Sequence, residues 1–249
     1  MQYKPDIAEI PDIPSDKLPV SEIFYSIQGE GRFAGYPSVF IRLMYCNLGC
    51  SWCDTRFTWD SSNLDRYSLF DNSKIVNKVK EILSDTDSNH DNIRVIITGG
   101  EPMIHREKLP SLIEKLNQTG FLMVDIETNG MFEPSDRLCD MVSWWNCSPK
   151  LLNINVDSKI SIVPNALVKL SKTNKVDFKF VVQEPKDIEQ ITQTFLDYIK
   201  PEQIMLMPEG WTQTMQLKGM KWVMEECKKR NFRFSPRLHI LIWNNKRGK

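Results

Sequence analysis

The chain has 249 residues with 32 basic and 32 acidic side chains, so its formal net charge is zero. That length supports one substantial core, and the charge balance leaves no footprint for a polyanionic partner or an anionic membrane surface. No apolar run reaches bilayer-spanning length, and residues 1–19 lack the basic start and apolar stretch of a signal peptide.

Residues 1–20, with Pro5, Pro11, Pro14 and Pro19, read as an extended arm ahead of a single domain over 21–249. Residues 39–44 form an expected strand that runs straight into a loop carrying Cys46, Cys50 and Cys53. A helix over 73–83 and a polar loop over 84–92 follow. The short apolar strand 95–97 ends in Thr98-Gly-Gly-Glu-Pro102, and a helix over 107–117 places Leu109, Leu112, Ile113 and Leu116 on one side. Strand 122–126 ends in Glu127-Thr-Asn-Gly130. Strands at 141–145 and 177–182, a helix over 188–199, a strand at 204–207, a helix over 212–230 and a terminal strand at 238–243 complete the pattern.

Strands alternating with helices over this length indicate βα units around a parallel sheet, with no internal sequence repeat. The polar and glycine-rich motifs Thr98-Gly-Gly-Glu101, Glu127-Thr-Asn-Gly130, Ser148-Pro-Lys150 and Pro208-Glu-Gly210 fall at strand C-termini. In a parallel barrel or an open α/β sheet those ends converge on one face. A doubly wound dinucleotide fold is the alternative, but Gly29-Glu-Gly31 precedes a strand, and Gly99-Gly100 has no GxGxxG context.

Cys46, Cys50 and Cys53 present sulfur at intervals of four and then three residues. Soft thiolates so spaced suit zinc or an iron–sulfur cluster, and three ligands are one short of a closed four-cysteine site. The same positions would share one face of a helix as ordinary core cysteines, although Asn47, Gly49 and Asp54 favour a loop. Structural zinc would need a fourth ligand, and His90, His105 and His239 show no finger-like spacing. Cys139, Cys147 and Cys227 read as small buried thiols, and a chain of this size needs no disulfides, consistent with a reducing, cytoplasmic compartment. A four-iron cluster on three thiolates leaves one iron for the amine and carboxylate of an amino-acid-bearing cofactor. Gly99 and Gly100 would bring backbone close to it, Glu101 could accept from its ammonium, and Pro102 restrains the segment; an ordinary tight turn is the plainer reading of the glycine pair.

Cys46-x3-Cys50-x2-Cys53 resembles the signature of the radical S-adenosylmethionine (SAM) enzymes, and Thr98-Gly-Gly-Glu-Pro102 resembles their glycine-rich SAM-binding motif. Phe24-Tyr-Ser-Ile-Gln-Gly-Glu-Gly31, Phe40-Ile-Arg42, Cys53-Asp-Thr55, Glu127-Thr-Asn-Gly130, Ser148-Pro-Lys150 and the ending Leu238-His-Ile-Leu-Ile-Trp-Asn-Asn-Lys-Arg-Gly248 occur in this order. Together, from about Ser21 to the C-terminus, they resemble the 7-carboxy-7-deazaguanine synthases of the QueE type. The resemblance implies a partial or modified (β/α) barrel of the radical SAM type with mostly parallel strands. It also implies a lyase of queuosine-type 7-deazapurine biosynthesis. Such an enzyme contracts the ring of 6-carboxy-5,6,7,8-tetrahydropterin to 7-carboxy-7-deazaguanine with loss of ammonia. A [4Fe-4S] cluster, SAM used as a regenerated cofactor, and Mg²⁺ at the substrate are the implied cofactors.

By the same resemblance Cys46, Cys50 and Cys53 ligate the cluster and Thr55 contacts magnesium. Trp52, Cys53, Asp54, Gly100, Glu101, Glu127, Asn129, Ser148, Pro149, Lys150 and Lys179 are the implied cofactor contacts. Ile27, Gln28, Gly29, Glu30, Arg42 and Thr98 are the implied substrate contacts. The residues themselves permit plainer readings: Thr55 as a turn cap, Arg42 as a solvated strand charge, 27–30 as a polar turn, Lys179 as a surface lysine. Residues 245–249 are either a frayed basic tail or groups near the substrate. An external electron donor such as flavodoxin or ferredoxin and a homodimer are expected, with no direct nucleic-acid or membrane partner. A glycyl-radical activase and a zinc-stabilised, non-catalytic interaction protein are the competing readings.

Overall fold

A computed structural model describes residues 5–86, 92–154 and 162–249. β1 (Lys17–Ile27) and β2 (Pro37–Leu43) pair antiparallel, and β3 (Ser68–Asp71) adds antiparallel to the far edge of β1. From β2 onward every pairing is parallel, through β4 (Arg94–Gly99), β5 (Val124–Thr128), β6 (Trp144–Cys147), β7 (Val176–Val182), β8 (Ile204–Pro208) and β9 (Arg233–Phe234). The strand order is therefore β3-β1-β2-β4-β5-β6-β7-β8-β9. α1 (Asn72–Ile82), α2 (Leu109–Asn117), α3 (Asp136–Met141), α4 (Pro164–Lys172), α5 (Pro185–Thr194) and α6 (Gln213–Arg230) cross over between successive parallel strands, and α7 (Leu238–Trp243) closes the chain. Through the parallel strands from β2 to β9 the order never reverses, so that part of the sheet is wound in one direction as a partial (β/α) barrel; a doubly wound sheet would switch direction midway.

Period-two alternation decides which side chains meet the helices and which face inward. Val95 and Ile97, Val124 and Ile126, Trp145 and Cys147, and Phe178 and Phe180 are fully buried in the core beside Leu112, Ile113 and Leu116 of α2 and Ile188 and Ile191 of α5. Each such aliphatic side chain contributes roughly 1.5–3 kcal/mol on burial. The intervening residues Thr98, Glu127, Asn146 and Lys179 face the barrel interior, where they line a cavity. Parallel register sets Arg42 beside Thr98 and Glu127 beside Asn146. The crossover helices start where short polar side chains accept from their first turn: Asp71 from Lys74 N, Ser135 from Leu138 N and Thr212 from Met215 N.

Three expectations need correction. Residues 238–243 are helix α7, not a strand; of this apolar run only Ile240 is fully buried, and α7 packs on α6 instead of extending the sheet. β1 begins at Lys17, inside the expected arm, and Pro19 lies where β1 pairs with the short edge strand β3. The arm ahead of it is tied down: Ala8 N donates to Trp59 O at 2.8 Å, and Lys108 Nζ donates to the carbonyls of Ile13, Pro14 and Lys17. The strand expected at 141–145 lies at Trp144–Cys147, because Ser135 caps a short helix through Met141. Of the loop expected at 84–92, residues 87–91 lie outside the described residues, as does His90. No helix among the described residues is long and apolar enough to cross a membrane.

Candidate active site

A cavity of about 240 Å³ opens at the C-terminal ends of the parallel strands. Cys46, Cys50, Trp52, Cys53, Asp54 and Thr55 line it from the loop after β2. Ile27, Gln28, Gly29 and Glu30 line it from the β1–β2 connection. Arg42, Thr98, Gly100, Glu127, Asn129, Ser148, Lys150 and Lys179 line it from the strand ends. Two expected contacts stand elsewhere. Glu101 lies behind the wall, its carboxylate accepting from Met103 N at 2.9 Å, Thr128 Oγ1 at 2.7 Å and Asn129 N at 2.6 Å. It thereby ties the end of β4 to the end of β5, and burial pushes its pKa up despite those donors. Pro149 faces a smaller neighbouring cavity with Ile162, Val163 and Leu167.

The cysteine loop is shaped by what packs against its entrance. Tyr45 takes φ 74°, an uncommon conformation for a bulky residue, and its buried phenol donates to Tyr67 Oη at 2.8 Å. Beside it, a Cβ on Gly99 would lie 2.0 Å from Leu43 O, and one on Gly100 would lie 2.2 Å from Tyr45 O. Gly100 N and Glu101 N instead donate to those carbonyls, at 3.1 and 2.7 Å. Only glycine lets the turn after β4 approach the chain entering the cysteine loop this closely. Two motifs far apart in sequence thus form one wall.

Leu48 N donates to Cys46 Sγ at 3.4 Å, and Trp59 Nε1 donates to Cys53 Sγ at 3.2 Å. Thr55 Oγ1 lies 3.5 Å from that second sulfur. Burial raises the Cys46 thiol and pushes Cys50 up to about 11, so metal binding here must release protons. Among the described residues no three His, Cys, Asp or Glu side chains converge tightly enough to hold a single ion. Three thiols lining one cavity are a donor set that suits an iron–sulfur cluster.

The opposite wall is polar and cross-braced. Glu127 accepts from Gln28 Nε2 at 3.1 Å and from Thr98 Oγ1 at 2.8 Å. Glu30 pairs with Lys179 Nζ and, at 2.8 Å, with Arg237 Nε; His239 Nε2 lies 3.7 Å away. Arg237 also pairs with Asp54 and donates to Gly210 O at 2.9 Å, joining this wall to the cysteine loop. Burial opposes ionisation of Glu30, but Lys179 and Arg237 outweigh it and hold the carboxyl far below its ordinary range. Lys150 Nζ is fixed by Ser148 O and Oγ, both at 2.9 Å, and lies 5.4 Å from the Trp52 ring centre. Arg42 Nε donates to Glu22 at 2.7 Å, and Arg247 from the C-terminal tail pairs with the same carboxylate and with Asp65. Lys249 reaches the cavity, so the tail lies at its mouth.

Arg237, Asn146 and His239 also line the cavity without having been expected there, and Glu209 does so from the strand-end motif Pro208-Glu-Gly210. Arg237 carried one weak signal, its place immediately before the terminal motif.

A singly wound partial barrel, with three thiols on the loop after its first parallel strand and a glycine turn against them, places the chain among the radical SAM iron–sulfur enzymes. Residues 27–135 match the family described as a 4Fe-4S single cluster domain. The chain is 33% identical over 235 residues to the 7-carboxy-7-deazaguanine synthase of Pyrobaculum aerophilum, covering 94% of this chain and 98% of that one. It is 35% identical over 239 residues to the 7-carboxy-7-deazaguanine synthase of Escherichia coli K12, covering 90% and 97%. The crystal structure of QueE from Escherichia coli superposes with a TM-score of 0.69 at 30% identity, covering 90% of this chain and 95% of that one. Streptococcus suis SuiB, at 13% identity and a TM-score of 0.50 over 80% of this chain and 47% of that one, shares the fold alone. The chain belongs to the 7-carboxy-7-deazaguanine synthase family, and is an enzyme of the radical SAM carbon–nitrogen lyase type.

Proposed function

We propose that this cavity converts 6-carboxy-5,6,7,8-tetrahydropterin to 7-carboxy-7-deazaguanine with loss of ammonia, within one catalytic domain whose sheet begins at Lys17. The observation that carries the reading is a single cavity with thiols on one wall and fixed polar side chains on the other. Cys46, Cys50 and Cys53 would hold a [4Fe-4S] cluster. SAM would lie between them, Gly100, Asn129, Ser148 and Lys150. When bound, these cofactors would supply one-electron, radical-generating chemistry.

The rest is the work of the chain. Gln28 and Thr98, already aimed by Glu127, offer donor and acceptor groups to the edge of a pterin ring. Arg42 keeps its two terminal nitrogens for the substrate carboxylate while Glu22 holds its Nε. Glu30, ionised between Lys179 and Arg237, is a fixed acceptor for ring N–H groups. Phe24 and Phe40, stacked at 5.0 Å, line the cavity with Trp59 and help exclude water from a reactive site. Thr55 offers one hydroxyl oxygen to magnesium; a single oxygen is no octahedral site, so substrate oxygens and water would complete it. An external one-electron donor, a homodimer and a cytoplasmic setting belong to the same proposal.

Anaerobic turnover with carboxytetrahydropterin, SAM and a chemical reductant, followed by product mass, tests the reading. A deazapurine product with SAM unconsumed is expected. Cluster-loaded protein that cleaves SAM but leaves the pterin intact would refute it and favour a different radical SAM reaction.

A further inference from the structure

The indole of Trp59 is only 1% exposed, lies against the cavity, and points its N–H at the Cys53 sulfur at 3.2 Å. Its backbone is gripped by the N-terminal arm. Ala8 N donates to Trp59 O at 2.8 Å, Ile7 bridges Asp60, and Ser61 N donates to Asp6 O at 2.9 Å. The arm also covers the cysteine loop itself: a Cβ on Gly49 would lie 2.2 Å from the Pro5 side chain and 3.3 Å from the Trp59 ring. Pro5, Gly49 and Trp59 therefore close over the loop as one packed layer. The expected cofactor roles use neither the arm nor this tryptophan.

We propose that Trp59 is a positioning residue for the iron–sulfur cluster, its indole N–H hydrogen-bonding the Cys53 thiolate and the arm holding it in place. A hydrogen bond to a cluster-ligating sulfur withdraws electron density and makes the cluster easier to reduce. The inference rests on the three thiols holding a cluster, as proposed above. Wild-type protein without a cubane signal would refute that reading before any variant is compared.

The test is potentiometric titration of the reduced-cluster EPR signal in wild type, Trp59→Phe and Ala8→Pro, each with iron and sulfide quantified. Trp59→Phe removes the donor and keeps an aromatic ring. Ala8→Pro removes the arm's N–H to Trp59 O without touching the cavity. The expected result is a midpoint more negative than wild type in Trp59→Phe at full cluster content, with a smaller shift of the same sign in Ala8→Pro. An unchanged midpoint in fully loaded Trp59→Phe overturns the proposal. If Trp59→Phe fails to retain cluster, an unchanged midpoint in Ala8→Pro overturns it.

Discussion

The two walls of the cavity are built by different physics. The polar wall is largely strand-borne: Arg42, Thr98, Glu127, Asn146 and Lys179 project inward because alternate residues of neighbouring strands must, and the parallel register fixes their spacing. The sulfur wall is loop-borne, and no ladder holds it. Its shape comes from glycine approaches at Gly99 and Gly100, a strained Tyr45, and buried hydrogen bonds to Leu43 and Tyr45 carbonyls. A rigid sheet thus carries the side chains that would read a planar substrate, while a clamped loop carries the thiols proposed to hold a cluster. Arg237 is the strut between the two walls.

Breaking the sulfur wall should have the largest effect. Cys50→Ala should lose both the cubane absorbance and all turnover, measured by iron and sulfide content beside product formation. Retained cluster in that variant would contradict the ligand set. Breaking the strut comes next. Glu30→Ala leaves the buried Lys179 without its ion-pair partner and Arg237 with Asp54 alone, and breaking a buried pair in this way costs roughly 3–5 kcal/mol, read from urea denaturation of the apoprotein.

The same residue has a pH signature. Its native pKa is depressed, so its stabilising contribution is complete above the ordinary carboxylate value of 4.5 and is lost as pH falls below that towards the native value. Wild type should therefore lose stability more steeply than Glu30→Ala below pH 4.5; parallel curves would mean the pair is not formed.

Smaller changes separate the walls. Arg42→Ala should raise KM for the pterin by about 10–100-fold, as expected for a lost charge-assisted contact of roughly 1.5–3 kcal/mol. SAM affinity should change little, and calorimetry showing both ligands equally weakened would remove Arg42 from the substrate wall. Thr55→Ala should blunt the stimulation of turnover by magnesium by a few-fold, the scale of one lost neutral hydroxyl contact of about 1 kcal/mol. A magnesium titration identical to wild type would exclude that role.

The strand-borne wall, Asn146 apart, is legible in the sequence because period-two patterning and strand-end motifs are local signals. Arg42 between Ile41 and Leu43, and Lys179 between Phe178 and Phe180, already alternate. The cysteine loop was legible through its spacing. Arg237 was not, since its partners Glu30 and Asp54 lie some two hundred residues away and only the closed barrel brings them together. A carboxylate after two glycines suggests a cofactor contact for Glu101; what the fold adds, and the local sequence does not show, is that two backbone N–H groups and one hydroxyl hold that carboxylate in a buried position. The terminal run Leu238-His-Ile-Leu-Ile-Trp243 read as a strand because six apolar-rich residues suit either a buried strand or one helical turn and a half. Its docking against Gly29, where a Cβ would strike His239 at 2.2 Å, is a tertiary fact.

The most direct test of the central claim is EPR of the anaerobically reconstituted, reduced protein, recorded with and without SAM. The account predicts a [4Fe-4S]⁺ signal whose g-values shift when SAM binds the iron that no cysteine holds. A cubane signal indifferent to SAM, or reconstituted protein with no cubane signal at all, would contradict it.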